Sequence, residues 1–134
     1  MDLALEALVR QRAEARCEYC HFPEALAEAP FQFDHIMARQ HGGQRVTENL
    51  ALACCYCNRY KGPNLSGVDP LTKEVTPLFH PRLQIWHEHF QWKGPILVGK
   101  TAIGRTTVQT LGINRPDAIA VRELLLAEGT FPLA

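Results

Sequence analysis

The first stretch of the chain, DLALEALVRQRAEA (2–15), sets Leu5, Leu8, Val9 and Arg12 at helical spacing among frequent alanines, which predicts a helix. The cysteine pair of CEYC then breaks the pattern. FQFDHI (31–36) alternates large apolar with polar residues, as a short strand does, and QHGG (40–43) reads as a turn or loop. A second alternating set, with Leu50 and Leu52 in NLALAC (49–54), predicts another strand. The residues through CNRYK can open a helix that Gly62-Pro63 would close. The predicted order is therefore strand, loop, strand, short helix, with cysteine pairs at both ends. GPNLSGVDP (62–70) reads as a linker. Beyond it, ILVGKT (96–101) predicts a strand and RTTVQTL (105–111) a short helix capped by Gly112. Residues 116–128 predict a longer helix, opened by Asn114 and Pro116, closed by Gly129, with Ile119, Leu124 and Leu125 as its apolar side.

A length of 134 residues suits one compact domain, or a small module with an extension of similar size. The expected division is a module over 1–66 and an extension over 67–134 that packs on it. Hydrophobic residues make up 46% of the chain, enough for a real core and too many for a disordered polymer. The apolar runs are short, so no bilayer-spanning segment and no membrane partner is expected. The opening residues lack a secretion-signal progression, and a cytoplasmic location is the expectation. Net charge is zero, which argues against a bulk electrostatic grip on nucleic acid. Its distribution is uneven. Residues 1–30 carry six acids and three bases, 31–68 two acids and four bases, and 69–134 six acids and seven bases. The middle segment is mildly basic, and a tilt of that sign permits phosphate binding.

Five cysteines in a chain of this kind argue against a disulfide framework and for two pairs with one residue over. Cys17-Glu-Tyr-Cys20 and Cys54-Cys-Tyr-Cys57 share the Cys-x-x-Cys spacing. Each such knuckle aims two sulfurs at one point, and four thiolates suit a tetrahedral structural zinc. Cys55 is left over, with the expectation of a small buried apolar residue. Thirty-three residues separate Cys20 from Cys54, so something folded must sit between the knuckles, with zinc clasping its base. A thiol redox role survives only without the metal.

Between and just beyond the knuckles lie Asp34-His35, Asn49, Asn58, Arg59 and Lys61. Carboxylate and amide oxygens are hard ligands suited to magnesium or manganese. An imidazole beside such an ion can take a proton from water near neutral pH, and Arg59 and Lys61 are candidate phosphate or DNA contacts. General base, hard cation and phosphate clamps together describe phosphodiester hydrolysis.

The ordered set in FDHIMARQHGGQRVTENLALACCYCNRYKG resembles the HNH endonuclease family, over residues 17–62 with both cysteine pairs. The last letter differs, asparagine standing at position 58 where the name has histidine, which makes this an H-N-N variant. The resemblance implies an α+β fold: a ββα-metal (His-Me finger) core clasped by a four-cysteine zinc site, with a small α/β C-terminal extension. It implies His35 as general base, Asp34 and Asn58 as ligands of one catalytic magnesium or manganese ion, and Asn49 as the organiser of the loop that orients the histidine. The implied activity is nicking of DNA to a 5′-phosphate and a 3′-hydroxyl.

The stretch LFHPRLQIWHEHFQW, with GKTAIGRTTVQTLGIN after it, also looks like a C-terminal extension of bacterial HNH proteins. His87 and His89, at i and i+2, would point to different helix faces and read as packing residues beside Trp86, Phe90 and Trp92. His80, Arg82 and Arg105 could meet DNA backbone or support packing. Against the nuclease stands a non-catalytic, zinc-stabilised nucleic-acid-binding module. Oligomeric state is open; a dimer would let single nicks become a double-strand break.

Overall fold

The computed structural model describes residues 2–132. Helix α1 (Leu3–Arg12) is opened by Asp2, whose carboxylate accepts from the Ala4 and Leu5 amides. It stops short of the expected 15 because Glu14 and Ala15 take left-handed conformations (φ 55° and 54°). Strands β1 (Gln32–His35) and β2 (Leu50–Ala53) form an antiparallel hairpin, with His35 opposite Leu50 and Asp34 opposite Ala51. Helix α2 (Cys55–Lys61) follows at once and packs on both strands. All four residues of β2 are buried, on both faces, because α1 covers this strand as well. The chain therefore has an α+β fold with a ββα core.

The expected linker is not one. Residues Ser66–Val68 form β3, paired antiparallel with β4 (Val75–Pro77), and the expected boundary between 66 and 67 falls inside β3. The hairpin is tied to helix α4 (Ala102–Thr110) through Asp69. Its fully buried carboxylate accepts from Arg105 Nε and Nη2 (3.1 and 2.9 Å), the Leu71 amide and the Thr72 hydroxyl. Helix α3 (Trp86–His89), strands β5 (Phe90–Lys93) and β6 (Ile96–Gly99) and helix α5 (Pro116–Ala127) complete the chain.

Helix α5 turns its expected apolar side inward only in part, with Ile119 and Leu125 half-buried. Ala118 and Arg122 are the buried positions, and Leu124 is 67% exposed. The Arg122 guanidinium donates to the Pro95 carbonyl (2.7 Å) and to Asn114 Oδ1 (3.0 Å) and lies over Trp92. Its long stem and satisfied head fill the inward position.

The two halves share one core, in which Tyr19 and Leu52 join Phe79, Trp86, Phe90 and Leu97. Trp86 Nε1 donates to the Tyr19 carbonyl (2.9 Å), and the His21 ring stacks on the indole at 3.7 Å. Arg82 pairs with Glu18, and Arg115 lies 3.6 Å over the Tyr56 ring. Arg82 and Arg105 thus serve packing, and the His80 ring accepts from the Arg82 amide. Asp69→Ala is expected to destabilise the protein, because it removes four hydrogen bonds that tie the turn after β3 to α4. Thermal unfolding measures the loss. Hydrogen bonding from Arg105 holds the Asp69 carboxyl well below its usual range. Its contribution is therefore present at neutral pH and is lost as pH falls through that depressed value.

Candidate functional site

The Sγ atoms of Cys17, Cys20, Cys54 and Cys57 lie within 4.8 Å of one another, with Cys20 and Cys54 3.9 Å apart. Zinc–sulfur bonds of about 2.3 Å in a tetrahedron put the sulfurs about 3.8 Å apart, so the cage has the size of a zinc–thiolate site. Each knuckle is closed by its own amide: Cys20 N donates to Cys17 Sγ and Cys57 N to Cys54 Sγ. The second of these bonds also caps α2. Glu18 pins the first knuckle to the edge of β2, its amide donating to the Leu52 carbonyl and its carboxylate accepting from the Leu52 amide (both 2.8 Å). Cys55 stands outside the cage and, against expectation, is only half-buried. It lines a cavity of about 400 Å³ between α2, α5 and residues 22–31.

His35 ends β1 and is half-exposed. Burial first, then the guanidiniums of Arg39 and Arg45, hold its imidazole below the ordinary histidine value. Arg39 Nε points at His35 Nε2 at 3.4 Å. A neutral imidazole at neutral pH has the form a general base needs. Asn49 closes the loop between the strands. Its Oδ1 accepts from the Met37 amide (2.8 Å), and its Nδ2 donates to the Met37 and Gln44 carbonyls (3.0 and 2.9 Å). The loop also needs glycine at 43, where a Cβ would lie 2.8 Å from Asn49 Nδ2 and still closer to the Met37 carbonyl. Asn49→Ala is expected to lose about 2–3 kcal/mol from the three bonds and to release residues 37–48. Amide hydrogen exchange in that loop measures the release.

Asp34 and Lys61 differ from expectation. Asp34 is 5% exposed and Lys61 2%, and the Lys61 ammonium lies 3.2 Å from Asp34 Oδ2. The same oxygen accepts from the Tyr19 hydroxyl (2.7 Å). Burial pushes the Asp34 carboxyl above its ordinary value, against the pull of Lys61 and Tyr19. Lys61 faces inward, and its nitrogen also donates to the His35 and Ile36 carbonyls. Asn58 is half-exposed on α2, and its Nδ2 donates to Gln32 Oε1 at 2.5 Å. Arg59 is exposed beside Tyr56.

The expected catalytic ion meets a mixed donor set. The Asn58 amide is of the right chemistry and reachable. The Asp34 carboxylate does not fit the role of direct ligand, because an ammonium already neutralises it and a phenol occupies one of its oxygens. Among the described residues, the cysteine cage is the one cluster of three or more His, Cys, Asp or Glu side chains placed for a metal.

Sequence reasoning passed over Tyr19, Gln32 and Arg39. Tyr19 sits inside the first knuckle and Gln32 two positions before Asp34 on the same strand face, so both were findable by geometry once the hairpin was drawn. Arg39 had the signal of a base four residues past the histidine. No helix of the described residues is long and apolar enough to cross a membrane.

No curated protein and no solved structure matches the chain. Residues 17–64 match the family model described as HNH endonuclease. That span runs from the first knuckle to just past α2 and holds the cage, the hairpin, His35, Asn49 and Asn58. The chain thus carries an HNH endonuclease domain over residues 17–64.

Proposed function

We propose that the protein is an endonuclease that hydrolyses DNA phosphodiester bonds, with His35 as its general base and zinc in the cysteine cage. The observation that supports this best is the half-exposed, neutral His35 held between the Asn49-closed loop and α2 in a chain with the family's domain. The imidazole takes a proton from water, whose oxygen attacks phosphorus. The phosphorus–O3′ bond breaks, and the departing O3′ takes a proton from solvent water, leaving a 5′-phosphate and a 3′-hydroxyl. Arg39 and Arg59 are exposed and free to meet the backbone phosphates around the scissile bond. Magnesium or manganese is the requirement the family resemblance implies, and the half-exposed Asn58 amide would be its reachable donor. One active site per chain produces nicks, and a pair of chains would cut both strands.

Supercoiled plasmid with magnesium or manganese tests the reading. Conversion to open circle by the zinc-loaded protein is expected. Silence on every nucleic-acid substrate, with binding retained, would leave a non-catalytic binding module, which the closed Asp34–Lys61 pair favours. The pH profile adds a finer check. Because the His35 pKa is lowered, the acid limb of nicking should fall below the ordinary histidine value of about 6.5. Arg39→Gln removes one cause of that lowering and should move the limb upward. An unmoved limb would show that Arg39 does not act on the base.

A further inference from the structure

Lys61 is the last residue of α2, where the helix dipole favours a cation, and it is the most deeply buried charged group beside the site. An ammonium has three protons to donate. Here three acceptor groups surround it: the Asp34 carboxylate (3.2 Å to Oδ2, 3.4 Å to Oδ1), the His35 carbonyl (3.2 Å) and the Ile36 carbonyl (3.0 Å). None is left for a phosphate. The two carbonyls flank the point where β1 ends and the loop begins, so the ammonium pins the backbone from which the His35 ring projects. Tyr19 supports the arrangement from the other side by donating to Asp34 Oδ2. A dication bound directly to Asp34 would sit within a few ångströms of this ammonium in a water-poor environment. Its double charge makes joint occupancy costly there.

We propose that Lys61 is the resident cation of the Asp34 carboxylate: Asp34 anchors Lys61, which positions the end of β1 carrying His35, and Asp34 is not a ligand of a divalent ion. Its consequence for catalysis rests on the nuclease reading, but its test does not. A divalent ion used by this site must then find other donors, of which the Asn58 amide is the reachable one.

Manganese binding to the zinc-loaded, full-length protein, followed by electron paramagnetic resonance, tests this without any nuclease readout. Asp34→Asn in the presence of Lys61 is expected to leave manganese affinity within about twofold of the wild type. Lys61→Met keeps the stem and frees the carboxylate, so affinity should rise about tenfold or more, and Lys61→Met with Asp34→Asn should lose that gain. A tenfold loss in Asp34→Asn alone, or no gain in Lys61→Met, would overturn the proposal. Should the Met variant fail to fold, the wild type still decides. Its Lys61 ammonium resonance, protected by burial, is expected to stay unshifted through a magnesium titration. A saturable shift or loss of protection means the lysine has yielded its place, and the proposal falls.

Discussion

Replacing His35 by alanine is expected to reduce plasmid nicking by about 100- to 10,000-fold, the span of a positioned general base. The variant should fold. The imidazole is half-exposed, and its single side-chain hydrogen bond comes from the exposed Arg39, so no core contact is lost with the ring. The strand itself is held through its backbone pairing with β2 and through Lys61, neither of which uses the His35 side chain. Circular dichroism and zinc content should therefore match the wild type while the rate collapses. Equal nicking by the two proteins would remove His35 from the mechanism and point to contamination. The Asn49→Ala variant provides a contrast: it should lose activity together with loop protection, whereas His35→Ala should lose activity alone.

Emptying the cysteine cage is expected to unfold at least residues 15–62. Zinc bound by four thiolates contributes about 10–16 kcal/mol in small domains, against a total stability of about 5–15 kcal/mol. Among the described residues the hairpin between the knuckles is only two strands of four residues each, too little to hold alone. Hydrogen bonding with Cys17 and the other sulfurs holds the Cys54 thiol far below the usual range and pushes Cys20 and Cys57 well above it, because the sulfurs are packed closely enough for one dication. A strong chelator, or Cys57→Ser, should abolish the folded spectrum and loosen the docking of Trp86 on the first knuckle. Cys55→Ser is the control and should change neither fold nor metal content, because its sulfur lies outside the cage. Zinc removed in full with an unchanged circular dichroism spectrum would defeat the structural role.

The ββα core was readable because its signals are local. Alternation marked β1 and β2, Gly62-Pro63 marked the end of α2, and the Cys-x-x-Cys spacing selected Cys54 and Cys57 over Cys55. The linker reading failed over 66–68 because Gly62, Pro63, Asn64, Ser66 and Gly67 in and before that stretch resemble loop residues. What makes a strand of them is pairing with 75–77 and the close approach of Gly67 to Thr110, where a Cβ would clash with the hydroxyl. The inward face of α5 was misread in part for a similar reason. Hydrophobicity alone points to Leu124, yet Arg122 finds carbonyl, amide and indole partners that only the folded second half brings together.

By itself, the sequence determined the order of elements in the ββα core and the candidate groups along it: two knuckles that can aim four sulfurs at one point, a histidine at a strand end, and an asparagine placed to close the loop after it. Those follow from spacing along the chain, which folding preserves. The tertiary structure alone decided which of the charged groups face solvent. Arg59 and Lys61 are two residues apart on one helix and look alike in sequence, but one lies on the surface and the other is spent on Asp34 and the carbonyls at the end of β1. A lysine is buried only where enough oxygens converge to replace its water. That convergence, drawn from a carboxylate on β1 and two carbonyls after it, exists only once the helix has packed against the hairpin.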